Sequence, residues 1–134
     1  MGADYTSPMT GETIIVVEDD ALTAGLVSDI VETMGHRVEI VSSIEPAFQL
    51  ARTHQPVAML VDVNLGGESG LDLMTRLAGD SQTAAIPVVA MTALDGEDDG
   101  AVLERAGAVA LLEKPFSTAD VIALVSGIIA AGPK

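Results

Sequence analysis

Four branched apolar residues, Ile14, Ile15, Val16 and Val17, run without interruption into Glu18, Asp19 and Asp20. An unbroken apolar run of this length fits a strand covered on both faces, as in a parallel sheet, where a half-exposed strand would alternate apolar with polar. Residues 21–34 follow with Leu22, Leu26, Ile30, Val31 and Met34 at helical spacing, and Gly35 supplies the stop. The alternation of strand and helix then recurs four times.

Residues 38–41 form a short strand, and 43–53 a helix whose Ile44, Ala47, Phe48 and Ala51 share a face. Residues 57–61 form a third strand running straight into Asp62. After the turn-rich Gly66, Gly67, Glu68, Ser69 and Gly70, a helix to about Ala78 turns Leu71, Met74 and Leu77 inward. Pro87 opens a fourth strand over 88–91, and 95–106 reads as a short or mobile helix from near Asp98, anchored only by Val102 and Leu103. The fifth strand is 109–112, and the last helix, capped by Ser117 or Thr118, runs to about Ala130. Five strands alternating with five helices predict an α/β fold, a doubly wound five-stranded parallel sheet with five helices. Residues 1–12 read as a flexible polar leader, 13–131 as the domain and 132–134 as a short tail.

The 134 residues suit one domain and leave no room for a fused second one. With no Trp, two Phe and one Tyr, the core must be built from Val, Leu, Ile, Ala and Met. Twenty acidic residues against six basic ones give a formal charge of −14, which disfavours nucleic acid and anionic lipid as partners. Cysteine is absent, so disulfides, thiolate nucleophiles and zinc–cysteine sites are excluded. No signal-peptide pattern opens the chain and no apolar run reaches membrane-spanning length, so a cytoplasmic protein is expected. His36 follows a helix end and His54 precedes a strand, positions that read as solvent-facing or capping.

In an open parallel α/β sheet, ligands bind beyond the carboxyl ends of the strands, near the switch in strand order. There the first strand ends in Glu18, Asp19 and Asp20, the third in Asp62, the fourth in Thr92, and the fifth in Glu113, Lys114 and Pro115. An acidic run alone fits a solvated helix start, where carboxylates meet the helix dipole favourably. Asp62 beside it changes the reading, because carboxylates sharing a pocket repel one another unless a cation intervenes. Mg2+, a hard ion with oxygen ligands, resolves that conflict. Asp62 could then attack a phosphoryl donor and form an acyl phosphate, with Lys114 as fixed positive charge and Thr92 as a short hydroxyl near a phosphoryl oxygen.

With IIVVEDD (14–20), MLVDVNL (59–65), Gly70 eight residues beyond Asp62, VVAMTA (88–93) and LLEKPF (111–116) in this order, the chain resembles a response-regulator receiver domain over essentially its whole length, a flavodoxin-like fold of two-component signalling. The resemblance implies Asp19 as a direct Mg2+ ligand, Glu18 acting mainly through water, Asp62 as ligand and phosphoacceptor, and the backbone carbonyl of Asn64 as a further ligand. It implies Thr92 as the switch hydroxyl, Lys114 as the phosphate-contacting lysine, and a cis peptide between Lys114 and Pro115. The donor it implies is a histidine kinase or a histidine-containing phosphotransfer protein, and the output a contact with a downstream protein. Loading and slow hydrolysis at Asp62 would be self-catalysed, without making the chain a classified enzyme.

Three features depart from the usual pattern. Gly66 and Gly67 stand where a proline is usual, which should loosen the loop. Leu111 replaces the usual Tyr or Phe that turns inward as Thr92 moves, which puts the aromatic readout in doubt. In the last helix Val121, Val125 and Ile128 can face the sheet, but Ile122, Leu124 and Ile129 need other cover. They form either a partner or homodimer strip or part of a wide face covered by neighbouring helices. Two alternatives accompany the switching receiver: a non-switching phosphate sink or scaffold, suggested by Leu111, and a small Mg2+-dependent aspartyl phosphatase. Against the phosphatase, Asn64 occupies the position where a second, acid–base carboxylate would be wanted.

Overall fold

Strand alternation sorts the core of this protein onto two faces of one sheet. The computed structural model describes residues 12–93 and 99–134. In β1 (Thr13–Val17), Ile15 and Val17 enter one apolar cluster and Ile14 and Val16 the other, and all four side chains are fully buried. The same division holds in β3 (Ala58–Asp62), with Met59 and Val61 opposite Ala58 and Leu60, and in β6 (Val88–Thr92), with Val88 and Ala90 opposite Val89 and Met91. Successive strand residues point to opposite faces, so an unbroken apolar run is what burial on both faces demands.

The sheet has the order β2-β1-β3-β6-β7, every pairing parallel, with β2 (Arg37–Val41) and β7 (Ala108–Glu113) at its edges. One face is covered by α1 (Ala21–Thr33) and α5 (Thr118–Ala131), which pack side by side. The other is covered by α2 (Ile44–His54), α3 (Gly70–Ala78) and α4 (Asp99–Arg105). A two-stranded hairpin, β4 (Asn64–Leu65) and β5 (Glu68–Ser69), lies between β3 and α3 and was not anticipated. Strand order reverses at β1, so the crevice between the ends of β1 and β3 is the switch point of the sheet.

The doubly wound parallel sheet is as the periodicity predicts, and so is the α2 face of Ile44, Ala47, Phe48 and Ala51. Elsewhere the helical phase differs from expectation. In α1 the buried residues are Ala24, Val27, Ser28, Ile30 and Val31, whereas Leu22 is 85% exposed and Leu26 52%. In α3, Leu73 joins Met74 and Leu77 in the core while Leu71 is only half-buried. In α4, Leu103 is fully buried and Val102 exposed. Helices this rich in apolar residues carry more than one plausible stripe, and the sheet accepts only one. The expected helix start near Asp98 and the mobility of its approach fall on residues 94–98, and the flexible leader on 1–11, outside the described residues.

Capping also shows what is local and what is not. Ser117 and Asp120 form a reciprocal capping box at the start of α5. Ser43 makes no side-chain cap bond at α2. The Ile44 amide donates instead to Glu68 Oε1, 3.0 Å away, from the hairpin. At φ 68° Gly66 takes the first position of the two-residue hairpin turn, a conformation closed to proline. The tail is tied down, Lys134 donating from its amide to Ala85 O and from Nζ to Gly107 O. His36 is buried rather than solvent-facing, with Nδ1 3.6 Å from Glu12 Oε1.

Gly70 is the tightest point of the chain: a Cβ there would stand 2.2 Å from the carbonyl oxygen of Asp62. Over-packing commonly costs about 1–3 kcal/mol, and Gly70→Ala should lie at the upper end, measured by urea unfolding. A loss below about 0.5 kcal/mol would mean that the α3 N-terminus shifts without resistance.

Candidate functional site

The ladder hydrogen bonds of the sheet continue one residue past the strands and thereby aim the side chains at its carboxyl edge. Glu18 N donates to Val41 O at 2.9 Å, so Glu18 keeps the strand direction of β1 and its carboxyl group is buried. Asp62, the last residue of β3, is only 4% exposed. Lys114 N donates to Thr92 O at 2.8 Å, which extends the pairing of β6 with β7, and the next peptide, Lys114–Pro115, is cis as expected.

These constraints bring four charged groups together. Carboxylate oxygens of Glu18, Asp19 and Asp62 all lie within 4.8 Å of one another, with Asp19 on the solvent side. Lys114 Nζ donates to Asp62 Oδ2 at 2.7 Å and approaches Glu18 Oε1 at 3.4 Å. The other Asp62 oxygen, Oδ1, accepts from the amide of Asn64 at 2.9 Å. Thr92 is buried at the end of the neighbouring strand. Asp20 points elsewhere, its side chain capping α1 through the Thr23 amide at 3.0 Å. That leaves Glu18, Asp19, Asp62 and Lys114 in contact range, with Thr92 and Asn64 beside them.

The electrostatics are unbalanced. Burial, followed by the hydrogen bond and charge of Asp62, pushes the Glu18 carboxyl up to about 7, although the Asp20 amide and Lys114 pull it the other way. Burial alone would lower the Lys114 ammonium, but bonding to Asp62 and the charges of Asp62 and Glu18 outweigh it and leave its pKa raised. Among the described residues three carboxylates face one ammonium, an oxygen-rich donor set with excess negative charge, which fits a hard divalent cation such as Mg2+.

Of the residues expected at the switch and interface, Leu111 is half-buried and reaches α4, its Cδ1 3.5 Å from where a Cβ on Gly100 would stand. In α5, Val121, Val125 and Ile128 face the sheet, while Leu124 and Ile129 pack partly against the same cluster. Only Ile122 of the three uncertain residues is exposed, at 38%. His54 is exposed and bonds Glu39 at 2.7 Å. Sequence reasoning missed three supporting residues. Gly70 passes under the Asp62 carbonyl, Gly66 leaves room for Asp19 Oδ2 at 3.0 Å from a Cβ position, and Glu68 caps α2. Only the two glycines carried a local signal, as small residues in a turn.

Comparison with known proteins agrees with this geometry. The sequence profile of the response regulator receiver domain matches residues 14–126. The polar-differentiation response regulator DivK of Brucella ovis is 33% identical over 106 residues, 79% of this chain and 86% of that protein. A putative response regulator from Chloroflexus aurantiacus superposes with a TM-score of 0.83 at 28% identity, covering 89% of this chain and 98% of the other. The receiver domain of a Pseudomonas aeruginosa sensor histidine kinase, solved with a magnesium ion in its active-site cleft, gives 0.81 at 24% identity over 90% and 98% of the two chains.

Proton and metal should compete for Glu18. Its folded pKa lies above the ordinary 4.5, so without metal its contribution to stability is full below that pH and is lost as pH rises through about 7. Conversely, Mg2+ should bind more tightly as pH rises from 6 to 8, by up to about tenfold per unit below the pKa. Calorimetry in buffers of different ionisation enthalpy should record proton release at pH 6 that Glu18→Gln abolishes. Unchanged proton release in that variant would assign the titration to another group.

Proposed function

The chain belongs to the response regulator receiver family of two-component signalling, and from that premise we propose that it accepts a phosphoryl group on Asp62 from a phosphohistidine protein and signals by contact with a downstream protein. The observation that carries the proposal is the single ammonium of Lys114 bonded to Asp62 Oδ2, opposite the carboxylates of Glu18 and Asp19. An oxygen of Asp62 attacks phosphorus as the phosphorus–nitrogen bond of the donor breaks. The imidazole nitrogen leaves with the electron pair, and an acyl phosphate forms on Asp62. Later attack by water returns the free carboxylate and inorganic phosphate.

Asp19, Asp62 and the Asn64 carbonyl would hold Mg2+ directly and Glu18 mainly through water. The ion would supply positive charge opposite the equatorial phosphoryl oxygens. The Pseudomonas receiver, which shares this fold, holds a magnesium ion in its active-site cleft. Lys114, bonded to Asp62 in the unphosphorylated chain, transfers its bond to a phosphoryl oxygen, and Thr92 follows another with its hydroxyl. Movement at Thr92 is then passed through Leu111 to α4, because Leu111 bridges β7 and Gly100. Leucine makes this a packing readout without a hydroxyl, and a non-switching sink remains the second reading on that ground. In α5 the burial of Leu124 and Ile129 supports a wide covered face over a homodimer strip. No helix among the described residues is long and apolar enough to cross a membrane.

Intact-mass spectrometry after exposure to acetyl phosphate tests the acceptor directly. One phosphoryl mass should be added in the presence of Mg2+, and none without it or in Asp62→Asn. An adduct that survives in Asp62→Asn would move the acceptor to another residue. Hydrogen exchange of the loaded chain, mapped after acid quench and peptic digestion, should show change at α4 and β7. Its absence there favours the sink.

A further inference from the structure

The hairpin of β4 and β5 touches the acidic site at one end and a distant helix at the other. At the site, Glu18 and Asp62 are held by the Lys114 ammonium and by the amides of Asp20 and Asn64. Asp19 stands on the solvent side, with the hairpin turn against it: a Cβ on Gly66 would lie 3.0 Å from Asp19 Oδ2. Gly67, the second residue of the turn, has nothing within 4 Å of a Cβ position. The turn therefore bears on Asp19 with one side and is open on the other.

The far end of the hairpin is tied to α2. Leu65 is buried in the same apolar cluster as Ile44, and Glu68, opposite Leu65 in the hairpin register, accepts the Ile44 amide at 3.0 Å. That amide is the first of α2, an N–H without a partner inside the helix, and a carboxylate beside it also meets the positive end of the helix dipole. Ser43, the residue placed to cap α2 locally, makes no side-chain cap bond, and Glu45 in the first turn is engaged with Arg76 and Gln49. A bond spanning 24 residues thus takes the place of a local cap. Because Glu68 is exposed, this bond adds little to the stability of the whole fold, yet it is enough to choose between two positions of a two-residue turn.

We infer that Glu68 is a positioning residue for the metal site: bonded to the Ile44 amide, it holds the Gly66–Gly67 turn against Asp19 and keeps that carboxylate beside Asp62, so that α2 sets how tightly Mg2+ is bound. The inference rests on the reading of Glu18, Asp19 and Asp62 as a Mg2+ site. Glu68 acts through the turn and through Asp19, not as a ligand.

Calorimetric titration of Mg2+ into the unphosphorylated chain compares wild type with Glu68→Ala and Glu68→Gln. Glu68→Ala removes the acceptor and should raise the Mg2+ Kd about three- to tenfold, the range that one hydrogen bond supports. Glu68→Gln loses the charge but keeps a carbonyl oxygen for the Ile44 amide, and should stay within about twofold of wild type. Coupling is reciprocal, so in wild type saturating Mg2+ should slow hydrogen exchange at the Ile44 amide, followed by NMR, by a factor similar to the rise in Kd, and in Glu68→Ala it should leave that amide unchanged. A Kd for Glu68→Ala within about twofold of wild type overturns the inference. Equal weakening by Glu68→Gln also overturns it, because the effect would then be one of charge alone, as does a wild-type Ile44 amide indifferent to Mg2+. Should urea unfolding show that Glu68→Ala does not fold, the wild-type amide and Glu68→Gln decide. If wild type binds no Mg2+, the metal reading of the site falls first and the inference with it, whereas a tight wild-type site with an indifferent Glu68 sinks the inference alone.

Discussion

The three central strands are buried on both faces, and a charge in their interior would have to be left without solvent or partner at a cost of several kcal/mol. Polar groups are therefore driven to the strand ends. Because every strand runs the same way, the carboxyl ends of β1, β3, β6 and β7 meet at one edge. The gathering of Glu18, Asp62, Thr92 and Lys114 follows from that constraint, with the ladder hydrogen bonds to Glu18 and Lys114 fixing where the chain turns away.

At that edge the described residues supply one ammonium for three carboxylates, a deficit of positive charge that suits a divalent cation. Lys114 bonds Asp62 and leaves Glu18 and Asp19 with excess negative charge that a divalent cation would offset; in the proposed function the same lysine and cation would also meet the charge of a transferred phosphoryl group. The backbone around Asp62 is held from several directions. Asn64 donates to its carboxylate, Val63 N to Met91 O, and Gly70 packs against its carbonyl at the start of α3. The hairpin that follows reaches across to cap α2 through Glu68. A change at Asp62 is thus felt by backbone belonging to α2 and α3 as well as by β6 and β7.

The two surfaces near the site differ in how they are built. On the side of β7 and α4, Leu111 is half-buried and makes contact inside the fold, so it can transmit movement. On α1, by contrast, Leu22 is 85% exposed and Leu26 52%.

The sequence by itself determined the order of elements, the two-faced burial of the strands and the identity of the strand-end residues. These depend on runs of a few residues: IIVV into EDD, MLVD, VVAMT, LLEK. Helix phase was decided only by the tertiary structure. Leu22, Leu26 and Leu71 looked like core residues because a helix with many apolar side chains supports several stripes, and the sheet selected Val27 and Val31 in α1 and Leu73 in α3. His36 is buried although a histidine after a helix end gives no sign of it. Glu68 as the cap of α2 was hidden, and Gly66 and Gly70 showed only as small residues in a turn, since each role joins groups that are distant in the chain or too close in space for a side chain. Periodicity and strand ends are local properties that a sequence carries in full, whereas which face is covered and which atoms collide depend on how the whole chain packs.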